Sequence, residues 1–345
     1  MLKKIYMDEE NIHILGRTTL GENKQCHLFW TASGVEFCFK GNAIGMEFSA
    51  DYGMFAPWIS VFLDGVCLIR MPLNRGKQQV MFFENMAGNI THRLRVLKEV
   101  QAMHDDEKHA LSIDSILLDG TLKKPPHYKY RLEFVGDSIT SAEGAIGSKK
   151  EMDWLPAYFC PANSYPLMVA DAMHADFRII SQSGWGVYKS WDGKTECAIP
   201  PYYEQVCGFL TGENNRQKGA VCTYNFEKWQ PDAVVINLGT NDDNCCKDRI
   251  EHEKVAQCTA GFLKTVRKCN PDAHIVWAYG MLGYKMAEFL QNGIEMYQKE
   301  SNDKKVYFLQ LSDTTDATVG ARLHPGKSSH LEAKNAICTL LHGIL

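Results

Sequence analysis

The stretch YRLEFVGDSIT, residues 130–140, decides how the second half of this chain folds. Leu132, Phe134 and Val135 make an apolar run suited to a strand buried between layers, and Gly136-Asp137-Ser138 ends it in a turn of small polar residues. The same texture returns downstream in FRIISQSG (177–184), DAVVINLGTND (232–242), HIVWAYG (274–280) and KVYFLQLS (305–312). Between and after these runs, residues 164–175, 254–268, 286–299 and 328–342 read as helices. Apolar strands alternating with helices predict a three-layer α/β domain built on a mainly parallel sheet.

Upstream, Lys123-Lys124-Pro125-Pro126 forms a stiff connector, because a double proline cannot sit inside a paired strand. It sets the expected boundary: residues 1–122 as one domain and 123–345 as the other. The first domain is a succession of short β segments, among them GVEFCFKG, WISVFLDG and THRLRVLKEV, several alternating at the two-residue period of a half-buried strand. Strands this dense, with Asp64-Gly65 among the turn signals, predict a jelly-roll-like β-sandwich.

Composition narrows the partners. The 345 residues carry 37 basic and 41 acidic side chains, a net charge of -4 without long blocks of either sign, so there is no electrostatic footprint for nucleic acid. No segment is long and apolar enough to span a bilayer. The opening MLKKIYMDEENIHILGR has no apolar core of signal-peptide length, which sets the expectation of a cytoplasmic protein unless a signal was removed before the numbering begins. The 12 cysteines lie scattered with no C-x-x-C pair, Cys245 and Cys246 being merely adjacent, and HDDEKH (104–109) reads as a charged turn; no metal is expected.

In parallel sheets ligands bind beyond the carboxyl ends of the strands, which gives weight to three small-polar clusters at predicted strand ends: GDSIT (136–140), SGWG (183–186) and GTNDD (239–243). A serine becomes a nucleophile when a base takes its proton during attack. His324, in GARLHP before the final helix, is the candidate base for Ser138. Asp137 and Asp242 adjoin the clusters as turn stabilisers.

The series GDSIT, a glycine loop, GTND and a late HP resembles the SGNH or GDSL-type hydrolases in all four signature blocks, over about residues 128–345. The resemblance implies a flavodoxin-like sheet, Ser138 as nucleophile, His324 as base, and an oxyanion hole made by the backbone N–H groups of Ser138 and Gly184 with the Asn241 amide. Most of that superfamily has an aspartate three residues before the histidine; here the position is Ala321. Either Asp313 or Asp316 orients His324 from upstream, or a backbone carbonyl does so in a Ser-His dyad, the reading favoured here.

The sandwich coupled to such a domain, with SGWGVYKSWDG and FEKWQPDAVVINLGTND, resembles carbohydrate esterase family 2, whose members deacetylate plant polysaccharides and include dyads. This implies a cofactor-free acetyl esterase acting on acetylated mannan or xylan fragments. Trp154, Trp185, Tyr188 and Trp191 are the candidate sugar contacts, Trp185 foremost because it follows Gly184. Competing expectations are a lipase or thioesterase of the same superfamily, and a carbohydrate-binding protein with a vestigial hydrolase fold.

Overall fold

The computed structural model describes residues 2–345 and divides them into two units. Among the described residues the first comprises 2–127 with two later returns of the chain, Leu155–Ala157 and Gln205–Tyr224. A single cut after residue 122 does not include these returns, which no shift of composition marks in the sequence.

Ten antiparallel strands build this unit: β1 (Lys3–Ile5), β2 (His13–Leu15), β3 (Thr18–Leu20), β4 (Cys26–Leu28), β5 (Gly34–Asp51), β6 (Trp58–Leu63), β7 (Val66–Pro72), β8 (Gly76–Phe83), β9 (His92–Lys98) and β10 (Ala110–Lys123). The 18-residue β5 pairs with β9 through its first half and with β8 through its second, so it belongs to both halves of the sandwich. A bulge makes this possible. Opposite β10, Gly120 pairs with Gly41 and Asp119 with Ala43, leaving Asn42 as the extra residue. The extra residue flips the side-chain phase, so Val35, Phe37 and Phe39 before it and Ile44, Met46 and Phe48 after it all enter one buried core. A Cβ on Gly120 would lie 2.0 Å from the Lys40 carbonyl oxygen, so only glycine fits there. The return at 205–224 is tied down by Trp30 Nε1, which donates to the Val206 carbonyl at 2.6 Å, and by Arg17, which donates to that of Gln205 at 3.1 Å.

The second unit is a five-stranded sheet with every pair parallel. Its elements run β11 (Tyr130–Gly136), α1 (Tyr165–Met173), β12 (Ala175–Ser181), then, after the excursion containing α2 (Glu213–Gln217), β13 (Ala233–Asn237), α3 (Thr240–Cys245), α4 (Arg249–Cys269), β14 (His274–Tyr279), α5 (Ala287–Ser301), β15 (Val306–Gln310) and α6 (Lys327–Ile344). The strand order β12-β11-β13-β14-β15 reverses direction at β11, the flavodoxin-like arrangement. The predicted two-domain fold class is thus the one observed. Gly136 pairs with both Ser181 and Asn237, so the three strands end level and their loops open at the same edge.

The first unit buries the amine of Lys98 against backbone carbonyls. Lys98 is 1 % exposed, and its Nζ donates to the carbonyls of Val100 and Gln101. Burial pushes its amine down from 10.5 to about 7, against a small opposing pull from Cys207. Between those values the unfolded chain holds a proton that the folded chain has shed, so stability rises with pH across that window. In thermal unfolding followed from about pH 7 towards pH 10, the midpoint of the wild type should gain on that of Lys98→Met as pH rises; equal slopes in the two would exclude this contribution of Lys98.

Candidate active site

Strand β11 delivers Ser138 in a tight turn. Glu143 N–H donates to the Ser138 carbonyl at 3.0 Å and Ser141 N–H to that of Asp137 at 2.9 Å, while Asp137 Oδ1 accepts the Ile139 N–H at 2.9 Å. Gly136 permits the turn, since a Cβ there would lie 2.0 Å from Thr140 Oγ1. His324 reaches the serine from the loop between β15 and α6, its Nε2 standing 2.9 Å from Ser138 Oγ. The other ring nitrogen, Nδ1, lies 3.0 Å from the Arg322 carbonyl oxygen. A carbonyl only accepts, so this contact places the proton on Nδ1 and leaves Nε2 as the acceptor for the serine hydroxyl.

Among the described residues no carboxylate bonds His324 Nδ1. Asp313 accepts the backbone N–H groups of Gly283 and Thr314, and Asp316 is exposed and paired with Lys149 at 2.7 Å. Both were candidate orienting acids, and both are too committed elsewhere to serve. Ala321 is fully buried, and a Cβ added at Gly147 would stand 3.0 Å from its methyl group, so the position where an aspartate was sought is packed under the 142–147 loop.

The candidate oxyanion donors converge on the same edge. Gly184 follows β12 with φ +80, and among the described residues neither its N–H nor that of Ser138 has a protein acceptor. Asn241 follows β13 and is buried; its Nδ2 lies 3.1 Å from Asp137 Oδ2 and 3.0 Å from the Trp185 carbonyl oxygen. Asp242 accepts three backbone N–H groups, from Val187 and Tyr188 at 2.9 Å and Lys189 at 3.2 Å, and so fixes the loop that carries Gly184. Both aspartates thus act within turns. Burial, reinforced by Asp242 and Glu143, pushes the Asp137 carboxyl up to about 7 despite its bond from Ile139.

One side chain that the sequence reading passed over completes the site. Glu143 is 2 % exposed; its Oε1 accepts Arg322 Nε at 2.7 Å, its Oε2 accepts the Ser183 hydroxyl at 2.6 Å, and the same oxygen stands 4.0 Å from His324 Nε2. A lone acid among Ala142, Gly144 and Ala145, five residues after Ser138, was the available signal. The aromatics sort differently from expectation. Trp185 is buried with its ring 5.5 Å from that of Tyr202 and presents no face to a ligand. Trp154 is half-buried against Phe159, and Tyr188 is half-buried with the Lys189 and Lys254 ammonium groups near its ring. Trp191 is 63 % exposed and covers the Cα of Gly184, where a Cβ would meet its ring at 2.8 Å. Among the described residues no group of three or more His, Cys, Asp or Glu is placed to hold a metal, and no helix is long and apolar enough to cross a membrane.

A hydrogen-bonded Ser-His pair and unpaired amides at the switch point of a flavodoxin-like sheet define a serine ester hydrolase of the SGNH class. No family profile matches the chain. A cellulase/esterase of Acetivibrio thermocellus is 26% identical over 330 residues, covering 94% of this chain and 38% of that protein. An acetylxylan esterase / glucomannan deacetylase of Cellvibrio japonicus is 23% identical over 354 residues, covering 99% of this chain and 91% of that one. The chain therefore spans well under half the length of the first of these relatives. Among solved structures, an acetyl xylan esterase from the rumen bacterium Butyrivibrio proteoclasticus matches with TM-score 0.96 and 33% identity, covering 99% of this chain and 98% of that one. The chain belongs to carbohydrate esterase family 2.

The histidine loop leaves little space at Gly144. Its φ is +68, and a Cβ would stand 2.3 Å from the Ala321 carbonyl oxygen and 2.7 Å from His324 Cβ. Gly144→Ala should shift His324 and lower p-nitrophenyl acetate turnover by about 10²-fold with circular dichroism unchanged; wild-type turnover in a folded variant would show that the loop gives way instead.

Proposed function

We propose that this chain removes O-acetyl groups from plant-type polysaccharides or oligosaccharides, mannan or xylan fragments, through an acyl-enzyme on Ser138. The observation that carries the reading is the 2.9 Å contact from His324 Nε2 to Ser138 Oγ, in a ring whose Nδ1 faces a carbonyl oxygen. In this mechanism Oγ attacks the acetyl carbonyl carbon as Nε2 takes the hydroxyl proton. The carbonyl oxygen becomes an oxyanion that the Ser138 and Gly184 N–H groups stabilise, with Asn241 Nδ2 joining them when one of its two hydrogens leaves Asp137 Oδ2 or the Trp185 carbonyl for the substrate oxygen. Collapse expels the sugar oxygen, which receives the proton from Nε2. Water then repeats the sequence, acetate leaves, and Ser138 regains its proton.

The names of the relatives support acetylated glycan as the substrate class: a xylan esterase at 33% identity and a xylan esterase or glucomannan deacetylase at 23%. The exposed Trp191 beside Gly184 supports it further, since an indole face packs against the C–H face of a pyranose. Tyr188 and Trp154 offer partly covered rings on neighbouring segments, and Trp185 is withdrawn from this role.

Acetate release from acetylated mannan, xylan and their fragments should vanish in Ser138→Ala and His324→Ala and fall about 10²- to 10³-fold in Asn241→Ala. Turnover of p-nitrophenyl esters should drop steeply from acetate to butyrate. A rise towards octanoate would instead favour a lipase, and acetate release by Ser138→Ala at the wild-type rate would remove the serine mechanism. Trp191→Ala should raise KM for acetylated oligosaccharides more than for p-nitrophenyl acetate.

A further inference from the structure

The hydrogen bond that orients His324 comes from a main-chain oxygen, and where a main-chain oxygen points is decided by the backbone that carries it. Arg322 sits at φ 55, ψ 29, and Leu323 follows at φ 58, two successive residues with side chains in the left-handed region. Left to itself, such a segment relaxes to ordinary backbone angles and carries the Arg322 carbonyl away from Nδ1. Arg322 opposes this with two side-chain hydrogen bonds and one from its backbone. Its Nε donates to Glu143 Oε1 at 2.7 Å, its Nη1 donates to the Met152 carbonyl at 2.8 Å, and its backbone N–H donates to the Glu151 carbonyl at 2.7 Å.

The partner that receives Nε is fixed to the nucleophile's own turn. Glu143 N–H donates to the Ser138 carbonyl, and Oε2 accepts the hydroxyl of Ser183, the residue before Gly184. One buried carboxylate therefore joins the serine turn, the oxyanion loop and the histidine loop. We propose that Glu143 and Arg322 are positioning residues that together replace the aspartate absent at position 321: the pair holds the Arg322 carbonyl on His324 Nδ1 and so maintains the reactive tautomer. The inference rests on the Ser138–His324 reading above. Arg322 is partly exposed, and a direct grip on substrate would be a different role that appears in KM.

The test uses Arg322→Gly, which suits a left-handed backbone and deletes only the clamp. On p-nitrophenyl acetate, kcat should fall about 10²-fold with KM little changed. The downfield proton resonance of His324 Nδ1–H, sharp in the wild type, should broaden by exchange. Glu143→Ala should lose a similar factor, the double variant should lose no more than the single ones, and Glu143→Gln, which keeps an oxygen towards Arg322, should recover most of it. Wild-type kcat in Arg322→Gly, a loss confined to KM, or losses that multiply in the double variant would overturn the clamp. Wild-type activity in Ser138→Ala would instead overturn the reading beneath it, so the two failures are told apart.

Discussion

An imidazole accepts a serine proton at Nε2 only while its Nδ1 keeps its own, and in this chain that condition is met by a 3.0 Å contact to a backbone carbonyl. Much of the surrounding architecture answers to this requirement. The loop from 142 to 147 runs so close to the histidine loop that Gly144 cannot carry a side chain, and Ala321 is buried beneath it. A larger residue at 321 would have to part the two loops. The route by which a carboxylate orients the ring is therefore closed, and the main chain takes its place. Two left-handed residues hold that main chain at a cost of about 1–3 kcal/mol each, which the bonds around Arg322 must offset.

The rest of the site follows from strand order. Because the sheet reverses at β11, the loops after β11, β12 and β13 open side by side, and Ser138, Gly184 and Asn241 meet although more than a hundred residues of sequence separate the first and last. Each loop is then stiffened by a buried carboxylate that accepts backbone or hydroxyl donors: Asp137 for the serine turn, Asp242 for the segment after Gly184, Glu143 for Ser183. Three acids in one buried region repel one another. Burial raises the pKa of Asp137, with the Asp242 and Glu143 charges adding to it, and burial raises that of Asp242 against its backbone donors.

What could be read from sequence follows the physics of each feature. Apolar runs such as 232–238 announce buried strands because both faces must be covered, and small-polar clusters at their ends announce the loops, so the α/β unit was legible and Ser138, Gly184, Asn241 and His324 could be named as candidates. The orienting group was only half legible: the missing aspartate pointed to a carbonyl, but a carbonyl belongs to every residue, and nothing in GARLHP says that Arg322 supplies it. Glu143 stayed hidden because its role depends on partners 40 and 179 positions away. Trp185 misled through adjacency to Gly184, since the chain turns its ring inward and brings Trp191 round to the glycine instead. The returns at 155–157 and 205–224 had no signal because a loop that joins another unit needs no special composition.

A neutral carbonyl stabilises the imidazolium formed during attack less than a carboxylate does, and the chemistry served must tolerate that deficit. An ester meets the condition. Its leaving oxygen departs with less protonation than an amide nitrogen demands, so the proton can pass late and imidazolium character in the transition state stays modest. The Glu143 carboxylate, 4.0 Å from Nε2, makes up part of the deficit, though its charge is shared with Arg322. On the proposed mechanism catalytic weight falls on the oxyanion donors: among the described residues the Ser138 and Gly184 N–H groups have no protein acceptor, and the loops bearing them are fixed by buried acids. A site of this kind is matched to ester cleavage, and a peptide bond would ask of His324 a charge that its surroundings do not support.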